Sequence, residues 1–158
     1  MRTRMAIQLC AGLAVILTCL SAIAAETNEP ELRALVSKIV QAWESMDIAK
    51  VDPYYAVDFN LTFFDIAPLK YANWAEYRTG VQKMFFEPNR SLKFTVQNDL
   101  RVRRHGQLAW ATFTFGADVV SKQGASTHLE GRWTLILERR KVGWVVVHEH
   151  VSVPPPGS

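Results

Sequence analysis

Beyond its first twenty positions this 158-residue chain has no cysteine; the two it has are Cys10 and Cys19. If the opening segment is a removable leader, what remains has no thiol nucleophile, no disulfide and no thiolate-bound metal. Charge of one sign is scarce as well. Setting Arg2 and Arg4 aside from the 18 basic residues leaves 16 against 15 acidic ones, so nothing points to nucleic acid or an anionic membrane surface as a partner. The chain shows no internal repeat, no low-complexity linker and no second long apolar run.

The one long apolar run, residues 5–20, follows Arg2 and Arg4 and precedes the small-x-small triplet Ala22-Ile23-Ala24. That order predicts a Sec signal peptide over residues 1–25, cleaved after Ala24 or Ala25, with export to a periplasm or the medium. The run is short for a stable membrane span, so no membrane association is expected after cleavage. Thr18 before Cys19 disfavours a lipid anchor there. The expected organisation is the leader, one domain over residues 26–153, and a Pro-rich tail over 154–158.

What the chain does have is aromatic: 5 Trp, 8 Phe and 4 Tyr, enough for a core of large side chains. Residues 29–46 read as an amphipathic helix with Pro30 in its first turn and Leu32, Leu35, Val36, Ile39, Val40 and Trp43 on one stripe. A short helix over 48–55 with Asp47 as cap, a strand at 61–65, and a helix over 74–86 capped by Asn73 follow. The rest is strand. Residues 92–103 alternate apolar and polar, 108–120 are apolar on both faces, and 127–138 and 143–153 complete a meander. Helices first and antiparallel strands after is an α+β order. A curved antiparallel sheet wrapped around the N-terminal helix, with two further helices, would make a cone-shaped roll with an apolar pocket.

The last strand carries the most unusual pattern. His148, His150 and Ser152 recur at every second position of a β-prone segment and so share a face. With residues 139–143 as the loop, Arg132 falls opposite His150 and Thr134 opposite His148. A loop one residue shorter turns Gly131 and Trp133 toward the histidines instead. The cluster reads in three ways: groups that hold an anion and shuttle protons, a hydrogen-bonded patch on the outer face, or a His-x-His metal site completed by His128 or Glu130. Arg132 nearby opposes a cation, so no metal and no cofactor is expected. Asp65, at the end of a short strand, reads either as an Asx-turn residue or as a base whose pKa is raised by Phe63 and Phe64.

Several segments resemble the SnoaL-like and ketosteroid-isomerase-like branch of the nuclear transport factor 2-like superfamily. They are Tyr54-Tyr55-Ala56-Val57-Asp58, Phe63-Phe64-Asp65-Ile66-Ala67-Pro68-Leu69, Trp74-Ala75-Glu76-Tyr77, and the closing Arg132-x-Thr134 with Trp144-x-Val146-x-His148-x-His150-x-Ser152. The closing segment is also similar to the end of the calcium/calmodulin-dependent kinase association domain. The resemblance implies the cone fold, a homodimer, and a pocket for a small hydrophobic or carboxylate-bearing molecule. It places Asp65 near the general base of ketosteroid isomerase, with His148 and His150 as further catalytic candidates. Tyr55, Phe63, Tyr71, Trp74, Arg132 and Thr134 are the candidate ligand-binding residues. That enzyme also uses a tyrosine and a protonated acid; the first helix here offers Ile39 or Trp43, and the fourth strand Leu135 or Thr134, where those are expected. Isomerase- or lyase-like proton transfer is therefore one expectation, and a non-catalytic dimerising or accessory module the other.

Overall fold

The computed structural model describes residues 29–155. The expected leader and the end of the Pro-rich tail lie outside them. Helix α1, Pro30–Glu44, opens on a proline that needs no N–H partner in the first turn. It buries Leu32, Val36, Ile39, Val40 and Trp43 of the expected stripe, with Leu35 partly buried against the core. Helix α2, Ile48–Val51, is capped by Asp47, whose carboxylate accepts from the Ala49 N–H at 3.1 Å. A 3₁₀ turn, Asp52–Tyr54, replaces the rest of the helix expected over 48–55. Asp52 and Pro53 set that tighter turn, and Tyr55 leaves it in extended backbone.

Strand β1, Phe63–Phe64, precedes the loop to helix α3, Trp74–Val81, where the Asn73 side chain accepts from the Glu76 N–H. The expected continuous helix to residue 86 changes character: Gln82–Phe86 widens into a π turn. The sheet then runs through β2, Asn89–Val96; β3, Arg101–His105; β4, Leu108–Ser121; β5, Ser126–Arg140; and β6, Gly143–Ser152. Its order is β1-β6-β5-β4-β2, with β3 also on β4.

Two features differ from the expected antiparallel meander. β1 pairs with β6 in parallel, so the six-stranded sheet is mixed. The single strand expected over 92–103 is two, because the chain breaks at Asp99. The Asp99 carboxylate accepts from the Thr114 N–H at 3.0 Å and from the Thr114 hydroxyl at 2.9 Å, standing in for a backbone acceptor. β2 therefore pairs the second half of β4 and β3 the first half, and the sheet bends between them. The bent sheet and helices α1 and α3 enclose one aromatic core. Among the described residues no helix is long and apolar enough to cross a membrane.

Candidate functional site

The register of β5 on β6 decides which side chains enter the core. At the hairpin end the pairs are Arg139 with Trp144 and Leu137 with Val146. Continuing that register would bring Leu135 opposite His148 and Trp133 opposite His150, histidines inward. It does not continue. Val147 is left unpaired as a bulge, and the next pairs are Ile136 with His148, Leu135 with Glu149, Thr134 with His150 and Arg132 with Ser152. The bulge lies where the other neighbour of β6 changes, from the Tyr55 segment at Val146 to β1 at Glu149.

Arg132, Thr134, His148, His150 and Ser152 do share a face, two residues out from the pairing expected. That face is the outer one, turned away from the helices, and none of the five lines the internal cavity. His148 Nδ1–H donates to the Thr62 carbonyl at 2.7 Å, fastening the β1 segment to the sheet. His128 pairs with Asp118 at 2.7 Å on the exposed side. Among the described residues no three His, Cys, Asp or Glu side chains gather closely enough to hold a metal.

The inward face of β6 presents Glu149, fully buried. Its carboxylate accepts from the hydroxyls of Tyr55 and Tyr77, one on each oxygen, and Tyr55 in turn accepts from the Trp43 indole N–H at 2.9 Å. α1, the strand-like Tyr55 segment, α3 and β6 thus each supply one member of a closed network. Burial pushes the Glu149 carboxyl from 4.5 up to about 7; the two tyrosine hydroxyls resist that rise, and the charge of Asp65 adds to it. Burial also raises Tyr55 and Tyr77 well above ordinary phenols, with the Glu149 charge as the next cause. Glu149 is therefore the member that exchanges a proton near neutrality.

The cavity beside this network has a volume of about 270 Å³. Trp43, Tyr77, Trp133 and Glu149 line it, together with Phe85, Leu92 and Phe115 and with Asp65, Ile66 and Tyr71. Burial raises Asp65 from 3.8 to about 6, opposed by the Ile66 N–H, which donates to its carboxylate at 2.7 Å. That N–H belongs to the next residue and not to the one two positions on, so it is not the expected Asx-turn, and Asp65 lines the cavity as well. Tyr71 is the one expected ligand-binding residue that lines the cavity directly. Tyr55 and Phe63 are buried behind the lining, and Trp74 donates to Asp52 at 2.9 Å on a different surface. Two glycines keep the space open. A Cβ on Gly80 would meet the Tyr71 ring at 2.4 Å, and one on Gly131 the Phe115 ring at 2.4 Å.

Glu149 is the site residue that sequence reasoning missed. The signal for Glu149 was a lone carboxylate between His148 and His150, with Val147 and Val151 two positions to either side.

A helix-filled, curved mixed sheet with an apolar cavity defines a nuclear transport factor 2-like fold. The SnoaL-like domain profile matches residues 32–156, and the chain belongs to that family. Similar solved structures include a nuclear transport factor 2-like superfamily protein from Salmonella enterica, with 16% identity and a TM-score of 0.74 over 82% of this chain and 92% of that one. A nuclear transport factor 2-like protein of unknown function from Pseudomonas putida has 26% identity and a TM-score of 0.68, covering 85% and 90%. The association domain of CaMKII from C. elegans has 17% identity and a TM-score of 0.63, covering 78% and 94%. No curated protein matches the chain.

Proposed function

We propose that the protein binds a small neutral carbonyl compound in this cavity and moves a proton next to the carbonyl. The observation that carries the reading is that Asp65 and Glu149 line one apolar cavity in different surroundings. Asp65, with a pKa of about 6, is mostly ionised at neutral pH and serves as the base. Glu149, at about 7, is half protonated. The ionised network has two hydroxyl protons for two carboxylate oxygens, all matched. One added proton is surplus. Tyr55 already accepts from Trp43, so the surplus donor emerges at Glu149 or Tyr77, both on the cavity wall. That donor supplies the acid that Leu135 and Thr134 do not, for an oxygen that gains charge as the proton leaves carbon.

The cavity also limits the ligand. At about 270 Å³ it lies just below the range of drug-sized pockets, which suits one or two rings and not four. Among the described residues its ionisable lining groups are acids and tyrosines, with no Lys, Arg or His, so a carboxylate ligand is disfavoured against a ketone or phenol. Arg132, Thr134, His148 and His150 take no part in this reading because of their outward placement.

The test is solvent-deuterium exchange of the α-hydrogens of 1-indanone, followed by NMR with protein starting at Glu26. Exchange above the buffer rate, lowered by about 10²–10⁴ in Asp65→Asn with binding retained, is the expected outcome. Binding without exchange would remove the catalytic half of the proposal.

The accessory-module reading keeps one observation of its own. Trp110 on the outer face of β4 is 44% exposed and pairs with Ile136, the partner of His148. We propose that this face joins two copies; sedimentation of wild type against Trp110→Glu tests it, with a monomeric wild type as the contrary outcome. We further propose export with removal of residues 1–25, which N-terminal sequencing of the secreted or periplasmic protein checks.

A further inference from the structure

Among the described residues four buried side-chain nitrogens have no hydrogen-bond partner: Arg33 Nε, Arg78 Nε, Trp133 Nε1 and Trp144 Nε1. Of these residues, Trp133 alone lines the cavity. The other two well-buried indoles near the site are satisfied, Trp43 by Tyr55 and Trp74 by Asp52. Trp144 is outside the cavity, covered by the guanidinium groups of Arg104 and Arg139 at 5.3 and 5.7 Å from its ring. An indole N–H only donates, and a buried donor without an acceptor carries an uncompensated desolvation cost. The Trp133 ring has little freedom to turn and find one. It is 3% exposed and is gripped by Phe94, Phe113 and Phe115, with ring centroids 5.4–6.0 Å away. Its N–H lies near enough to Glu149 to favour that carboxylate's charged form, yet does not reach hydrogen-bonding geometry with it.

We propose that the Trp133 indole N–H is a ligand contact, a second donor that meets the ligand's acceptor oxygen beside Glu149 and selects for a neutral carbonyl or phenol over an oxygen-free ring of the same shape. The inference rests on the cavity reading above and adds to it the residue that fixes the oxygen's position. An oxygen seated between Trp133 and the Glu149–Tyr77 pair receives two donors when the network holds its surplus proton. One donor holds the oxygen's direction; two hold its position, which is what a base elsewhere in the lining requires.

The probes are 2-naphthol, which carries the oxygen, and naphthalene, which lacks it. The measurements are the indole N–H resonances in ¹H–¹⁵N spectra and the dissociation constants by titration. The Trp133 resonance is assigned by its loss in Trp133→Phe or, if that variant does not fold, by cross-relaxation with the Phe113 and Phe115 rings in wild type. We expect 2-naphthol to move the Trp133 N–H downfield while naphthalene does not. Trp133→Phe should weaken 2-naphthol about 10-fold and naphthalene less than about 2-fold. If 2-naphthol binds in the cavity and the Trp133 N–H resonance stays put, the donor is satisfied by water and the proposal is overturned while the cavity reading stands. If neither probe binds, both are overturned.

Discussion

Glu149 and His150 are adjacent on β6 and meet opposite surroundings. His150 is exposed on the outer face, edge-on to Phe64 at 5.6 Å. Glu149 is enclosed by Trp43, Tyr55 and Tyr77, its carboxylate held by two hydroxyls. Before folding, histidine is the side chain whose ordinary pKa suits proton transfer at neutral pH, and glutamate is not. In the folded protein burial brings the glutamate to about 7, and the histidine is left in solvent. Which face a residue takes therefore outweighs which residue it is.

Removing the inner residue tests that contrast most severely. Glu149→Ala leaves two buried hydroxyls without acceptors and a cavity at the centre of the network. It should cost about 3–5 kcal/mol in urea unfolding, whereas His150→Ala should stay within about 0.5 kcal/mol. Equal losses would break the comparison.

Next in size is the pH dependence. Folding raises Glu149 from 4.5 to about 7 and Asp65 from 3.8 to about 6, so between those values the folded chain binds more protons than the unfolded one. The stability gained by protonating them is complete below the unfolded values and is lost as pH rises through the folded ones. For Glu149 the loss is on the order of 3 kcal/mol between pH 4 and pH 8. Denaturation midpoints at pH 5 and pH 8 should differ in that direction in wild type, and less in Glu149→Gln.

Gly131→Ala sharpens the comparison on the same strand pair without touching a charge. Its methyl must displace the Phe115 ring, at a cost of about 1–3 kcal/mol, and the displaced ring narrows the cavity. Loss of 2-naphthol binding in a folded variant is the expected readout. The smallest effect belongs to Arg132→Ala. Stability should change by under about 0.5 kcal/mol and 2-naphthol affinity should not change, because the side chain points away from the cavity. A large drop in affinity would show that the outer face reaches the ligand after all.

Much of the fold could be read from local pattern. The α1 stripe, the caps at Asp47 and Asn73, and the three long strands of the meander follow from periodicity and capping chemistry, which act within a few residues. The break at Asp99 could not be read in the same way, since it depends on Thr114, fifteen residues on and in another strand. Asp65 and Tyr71 were named as candidates in advance, Asp65 from its place at the end of the Phe63-Phe64 strand ahead of a turn. Tyr55 was found but placed in the pocket rather than behind it. Glu149 was hidden by its neighbours: two histidines at alternate positions are a louder signal than the acid between them.

By itself the sequence determined that a helix would pack on an antiparallel meander, that the core would be aromatic, and that the last strand would carry titratable groups on both faces. Tertiary structure alone decided which face turned inward. One unpaired residue, Val147, shifts the β5–β6 register, and in a strand a shift of one exchanges the two faces. With that bulge the core receives the residue whose two oxygens match the hydroxyls of Tyr55 and Tyr77, contributed by segments more than seventy residues away.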